Sequence, residues 1–184
     1  CDAAANPSTA TSCINQAVAA HASGIITDAM NDSFASQAYA AAVAAHIPVV
    51  ATDNDNAAGF PQSPDLVTVS HSLPKSAALG ADWIIADSKG KANVLYAADS
   101  SNDGTIEGTA VRAEFKKYCP GCKVTVVTFG DLTVSQLSTS VSSAMTSNPS
   151  INYVYAAYDA PAGAIALHGA NTVGGRSFKF VAFT

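Results

Sequence analysis

The short polar side chains of this sequence gather behind apolar runs. Asp28 follows GIIT (24–27), and Asp53, Asn54 and Asp55 follow IPVVAT (47–52). Asp99, Ser100, Asn102 and Asp103 follow ANVLYAA (92–98). Gly130 and Asp131 follow KVTVVTF (123–129), and Tyr158 and Asp159 follow INYVYAA (151–157). Aspartate and asparagine are short and planar, and can take two hydroxyl hydrogens at once. A charged acceptor contributes about 1.5–3 kcal/mol net per hydrogen bond. The pattern suits neutral polyhydroxyl ligands such as sugars, with Phe34, Phe60, Phe129 and Tyr158 available to stack on an apolar sugar face. The same residue types are also preferred helix N-caps, worth about 1 kcal/mol each. Asp28, Asp99 and Asp131 read first as caps or loop residues. Asp159, just before Ala160 and Pro161, can cap as well as bind, because one carboxylate has several acceptor positions. Asp53 stands apart, since DNDNAAGF (53–60) is a loop and not a helix start.

Catalytic signatures are thin. The sequence has no GxSxG elbow, no Walker A loop and no HExxH pair. His21, His46, His71 and His168 do not stand at metal-ligand spacing, so neither a metal nor a cofactor is expected. His21, His46 and His168 fall near the ends of expected helices, where partial positive charge is favourable. His71 is left without a role. For a small α/β enzyme the best acid–base candidates would be the pairs Asp53/Asp55 and Asp99/Asp103.

The four cysteines form two local pairs, Cys1/Cys13 and Cys119/Cys122. Local even pairing fits an exported protein with two small disulfide clips. CPGC (119–122) ends an expected helix and precedes a strand. A redox CxxC motif instead begins a helix, where the dipole lowers the thiol pKa. The motif therefore reads as a structural turn clip.

These residues need a frame, and the apolar pattern supplies one. Helical and strand periods alternate along the chain. Helices are expected over 10–21, 34–46, 72–87, 104–118, 134–147 and 160–169. Strands are expected over 24–27, 47–52, 66–70, 92–98, 123–129, 151–157 and 178–183. Strands separated by crossover helices imply parallel sheets flanked by helices, an α/β fold. In such sheets ligands bind beyond the carboxyl ends of the strands, where the polar clusters lie. The rhythm breaks once, over 53–70, where two strands follow each other without a helix. A boundary near residue 70 is expected there, dividing the chain into 1–70 and 71–184.

Hydrophobic residues make up 48% of the 184 residues and charged residues 12%, enough apolar material for a proper core. The net charge is −5 and no Lys/Arg cluster occurs, so nucleic acid and anionic membranes are poor partners. The most apolar stretch, AYAAAVAAHIPVVAT, is too short to span a bilayer. No basic and apolar leader pattern is present. Cys1 reads as the edge of a longer chain, although a mature lipoprotein also begins with cysteine.

The segment from Asn6 to Asp53, NPSTATSCINQAVAAHASGIITDAMNDSFASQAYAAAVAAHIPVVATD, and the later INYVYAAYDAPAGAIALHGANTVGGRSFKFVAF resemble the sugar-type solute-binding proteins of bacterial ABC importers, the periplasmic binding protein type I family. The shared pattern is a helix, "gIi", a helix and "IPVV…D", and later a strand, an Asp-x-x-A-x-G helix and a strand ending in "vvgF". The resemblance runs over nearly the whole chain. It implies two similar α/β lobes with a ligand in the cleft, delivery of a small polar solute (a sugar first) to a membrane permease, and a periplasmic or extracellular location, free or lipid-anchored. It implies no cofactor, no catalysis and a monomer when complete. Asp53 matches the family's ligand-binding acid after IPVV, Asn54 its neighbour, and Asp159 the acid of the later motif. Tyr158 stands where the family often has asparagine, and SSNDGTIEGTAVRAEF (100–115) departs from its arginine and Gly-Phe pattern. The family begins with a strand, a helix and a strand ahead of the Asn6 helix, and continues past FKFVAF. The chain is thus expected to match a central part, with an incomplete first-lobe sheet. The ligand-sensing core of a LacI-type transcription regulator resembles the same two-lobe fold and is the alternative, together with a small α/β enzyme.

Overall fold

The computed structural model describes residues 1–3, 6–30, 32–53, 60–61, 63–69, 71–158 and 178–182. The chain divides into two compact units, Cys1–Ser72 and Leu73–Thr184.

In the first unit, α1 (Pro7–Ala19) starts where Asn6 accepts hydrogen bonds from the Ser8 and Thr9 amides at 2.9 and 3.1 Å. Pro7 holds the first helical position, where its missing N–H costs nothing. The helix therefore opens three residues earlier than the apolar period alone suggests. The Cys1–Cys13 disulfide, with Cα atoms 5.9 Å apart, ties the start of the chain to this helix. Strand β1 (Ile25–Asp28) follows, then a 3₁₀ turn (Asp32–Phe34) and α2 (Ser36–Ala44). Strands β2 (Val49–Thr52) and β3 (Leu66–Val69) complete a three-stranded parallel sheet in the order β1-β2-β3.

The sheet has one covered face. Ile25, Val49 and Leu66 are register partners, and with Ala51 they pack against Ala10, Ile14, Ala38, Tyr39 and Ala42 of α1 and α2. The opposite row, Ile26, Val50 and Val67, points the other way, as alternation along each strand requires. Ile26 is 77% exposed, and Val67 and Val69 are also largely exposed.

His21 and His46 each stand two residues beyond a helix, with φ of 50° and 54°. Both are the left-handed residue that closes a helix, a place usually taken by glycine. Their position near helix ends is therefore set by backbone geometry as well as by the dipole.

The second unit contains α3 (Leu73–Asp87), β4 (Asn93–Asp99), α4 (Asn102–Tyr118), β5 (Lys123–Phe129), α5 (Leu137–Ser147), β6 (Tyr153–Ala156) and β7 (Lys179–Ala182). Its parallel sheet runs β5-β4-β6-β7. Helices α3 and α4 cover one face through Ala77, Ala81, Ile84, Val111 and Phe115 against Val94, Tyr96 and Tyr155. Helix α5 covers the other through Leu137, Val141 and Met145 against Leu95, Ala97 and Val154. Strand β4 is therefore buried on both faces, which is why it reads as a continuous apolar run rather than an alternation.

Two glycines allow close approaches here. A Cβ on Gly80 of α3 would strike the ring of Tyr155, whose hydroxyl donates to the Ala77 carbonyl at 2.6 Å. A Cβ on Gly104 would land on the Asp99 backbone, so α4 could not start so close to the end of β4.

Cys119 caps α4 and is bridged to Cys122 across a turn, with Cα atoms 5.3 Å apart. The Cys122 amide donates to the Cys119 carbonyl at 2.9 Å, so this motif closes a helix. The segment expected to be helical from 134 is instead a 3₁₀ stretch (Asp131–Gln136) before α5 begins. There the Gly130 amide donates to the Thr133 hydroxyl at 2.9 Å and tightens the turn. The helix expected over 160–169 lies outside the described residues. No helix among those described is long and apolar enough to cross a membrane.

Candidate functional site

In the first unit the strand ends bring Asp28, Thr52, Asp53 and His71 into one neighbourhood. The Asp53 amide donates to the Val69 carbonyl at 3.0 Å, extending the β2–β3 ladder by one residue. Asp53 then turns left-handed, with φ 53°. Aspartate tolerates this region better than most residues because its short polar side chain can bond locally. That bond goes to His71, whose Nδ1 lies 3.2 Å from Asp53 Oδ1, both side chains remaining partly open to solvent. Beside them the Thr52 hydroxyl donates to Asp28 Oδ1 at 2.6 Å, and the Ala29 amide donates to the Thr52 carbonyl at 3.1 Å. Thr27 accepts from the buried Tyr39 hydroxyl at 2.9 Å, which pins the end of β1 to α2. The result is an exposed acid at the carboxyl end of the middle strand, fixed by backbone and by an imidazole.

The strand ends of the second unit are arranged differently. Asp99 does not cap α4. Its Oδ1 accepts from the Ser101 amide at 3.0 Å and its Oδ2 from the Ser101 hydroxyl at 2.7 Å. Ser101 is the cap, and its oxygen accepts from the Gly104 amide at 3.0 Å. Both oxygens of Asp99 thus serve the loop. Asn102 begins α4, two residues ahead of the expected start. The Ser100 amide donates to the Phe129 carbonyl at 2.8 Å, which joins the ends of β4 and β5.

Phe129 is buried among Leu95, Leu137 and Val154. Its ring meets the partly exposed Tyr158 at a centroid distance of 5.8 Å, tilted by 56°. Phe60 is likewise buried, edge-on to Tyr39 at 4.7 Å. Of these aromatics, Tyr158 keeps a surface at the strand ends, and Phe129 supports it from below. Asn54, Asp55 and Asp159 lie outside the described residues, as does His168. Among the described residues no group of three His, Cys, Asp or Glu side chains could hold a metal ion.

Sequence reasoning missed the Asp53–His71 pair and the Thr52–Asp28 bond. Both depend on strand register. Only when Thr52 is known to pair with Val69 does Asp53, the next residue, come near His71.

A family model for the periplasmic binding protein domain matches residues 1–183. The chain belongs to that family. It is a family of binding proteins. Among solved structures, the chain is similar to GanP, a glucose-galactose binding protein from Geobacillus stearothermophilus, at 18% identity and a TM-score of 0.80. That match covers 96% of this chain and 62% of GanP. An ABC transporter solute-binding protein from Burkholderia graminis in complex with D-arabinose matches at 16% identity and TM-score 0.80, over 96% of this chain and 61% of that one. A 5-methylthioribose transporter solute-binding protein from Thermotoga lettingae matches at 18% and 0.79, over 96% and 55%. No curated protein sequence is matched. The chain spans less than two thirds of these solved structures. This periplasmic binding protein chain has the type I fold expected from its sequence, with parallel sheets flanked by helices.

Proposed function

We propose that this chain is part of an extracytoplasmic solute-binding protein, which captures a small polar ligand, a sugar first, for an ABC importer. The observation that carries the reading is Asp53, held at the carboxyl end of β2 in a chain that matches the periplasmic binding protein domain over residues 1–183. A partly exposed carboxylate fixed at a strand end accepts ligand hydroxyls without paying to order itself. Asn54, next to Asp53, and Asn102, Tyr158 and Asp159, which follow other strands in sequence, are proposed as further contacts, with Phe129 backing Tyr158. In this reading the two units, Cys1–Ser72 and Leu73–Thr184, are the two lobes of the family, and the partner is a membrane permease.

Three structural neighbours support a sugar-like ligand, since their names carry glucose and galactose, D-arabinose and 5-methylthioribose. The two local disulfides agree with an oxidising compartment. Nothing specific favours the LacI-type regulator. Native mass spectrometry of the purified protein tests the proposal. A co-purifying polyhydroxyl compound, released unchanged, is the expected result. A bound nucleotide or peptide, or conversion of the compound on incubation, would overturn it.

A further inference from the structure

His71 carries no role in the reading so far, yet the fold brings it to the candidate acid. Strand β3 ends at Val69, and the Val69 carbonyl receives the Asp53 amide. That single bond sets His71, two residues on, beside the Asp53 side chain. Its Nδ1 lies 3.2 Å from Asp53 Oδ1. A carboxylate only accepts, so the proton of this contact is on Nδ1. Asp53 is thereby held from two sides, by its left-handed backbone and by the imidazole.

We infer that His71 is a positioning residue for ligand recognition by Asp53. It bonds one carboxylate oxygen, fixes the rotation of the group, and leaves the other acceptor positions set for ligand hydroxyls. An acid that is already oriented loses less freedom on binding, and its charge-assisted hydrogen bonds to the ligand are stronger for it. The inference rests on Asp53 being a ligand contact. The imidazole matters through the geometry of that acid and not through general stability, because both side chains lie at the surface.

The test has two arms. In the first, long-range proton–nitrogen NMR at about pH 8, where an ordinary imidazole is neutral, reads the His71 tautomer. Protonated Nδ1 in the wild type, lost as the preferred form in Asp53→Ala, is the expected result; a bare Nδ1 in the wild type overturns the inference. In the second, calorimetry with D-galactose, D-glucose and D-arabinose compares His71→Ala and His71→Asn with the wild type. Alanine should weaken binding about tenfold. Asparagine, whose Nδ2 stands in for Nδ1, should stay within about threefold of wild type. Melting temperatures should agree to within about 2 °C. In an Asp53→Ala background, where no side-chain oxygen remains to accept from Nδ1, His71→Ala should have far less effect, because a positioning residue acts only through its partner. Equal binding by His71→Ala and wild type, or an undiminished loss in the Asp53→Ala background, overturns the inference. If the wild type binds none of the three sugars, the sugar reading fails, and the tautomer arm alone decides whether His71 holds Asp53.

Discussion

Asp53 adopts a backbone conformation that most side chains avoid, at φ 53°. Its side chain therefore has a role in the turn, separable from the role proposed for it toward a ligand. Asparagine shares aspartate's tolerance of the left-handed region and alanine does not, a difference of about 1–2 kcal/mol. Asp53→Ala should therefore be less stable than Asp53→Asn by about 1 kcal/mol in denaturant titration. Equal stability would mean that the turn does not depend on the residue. The prominence of Asp53 was legible in the sequence, because DNDNAAGF could not be a helix start. Its pairing with His71 was not, since the two are eighteen positions apart and meet only through the β2–β3 register. Asp99 shows the opposite case. Its place between strand and helix marks it as a cap or loop residue, and its two oxygens serve the loop through Ser101.

At the scale of elements, the strands were the most legible part. KVTVVTF is β5 from end to end, and the doubly buried β4 announced itself as an unbroken apolar run. The cap at Asn6 was legible, but other helix starts were less so, because 3₁₀ turns depend on local hydrogen bonds, as at Gly130. The β1-β2-β3 sheet explains why alternation is a weaker guide there. Its second face carries Ile26, Val67 and Val69 in the open, so apolar residues occur on both sides. An apolar side chain on that face contributes little to the stability of this chain. Ile26→Thr should change unfolding free energy by no more than about 0.5 kcal/mol. Leu95→Ala, in the fully buried β4, should cost about 2–5 kcal/mol. Chemical denaturation of both variants checks the contrast, and a large loss at Ile26 would mean that the face is covered.

At the scale of the whole molecule, one ion-paired cluster ties distant parts of the second unit together. Lys179 of β7 contacts both oxygens of Asp87, the last residue of α3, at 2.8 and 2.7 Å. The Tyr153 hydroxyl of β6 donates to the same carboxylate. The hydrogen bond from Lys179, and then that from Tyr153, hold the Asp87 pKa below the usual carboxylate range. Burial, and then the bond to Asp87, push Tyr153 up to about 12. A depressed carboxylate contributes stability that is present above its unfolded pKa and lost as pH falls through its folded one. Asp87→Asn should therefore lower the melting temperature at neutral pH, and the gap from wild type should close below about pH 4. Tyr153 has the opposite sign, and its contribution should fade as pH rises from about 10 toward its folded value. A gap that persists unchanged at low pH would show that Asp87 acts through packing and not through its charge.

Asp53 remains the point at which the fold, the family and the proposed chemistry meet. The most direct test is calorimetric titration of the wild type and Asp53→Asn with D-galactose, D-glucose and D-arabinose. Saturable one-site binding of at least one sugar is predicted for the wild type, with the sugar recovered unchanged. The asparagine variant should bind that sugar at least about tenfold more weakly, the loss expected for one charge-assisted hydrogen bond. Undiminished affinity in Asp53→Asn would contradict the assignment of this acid as the ligand contact.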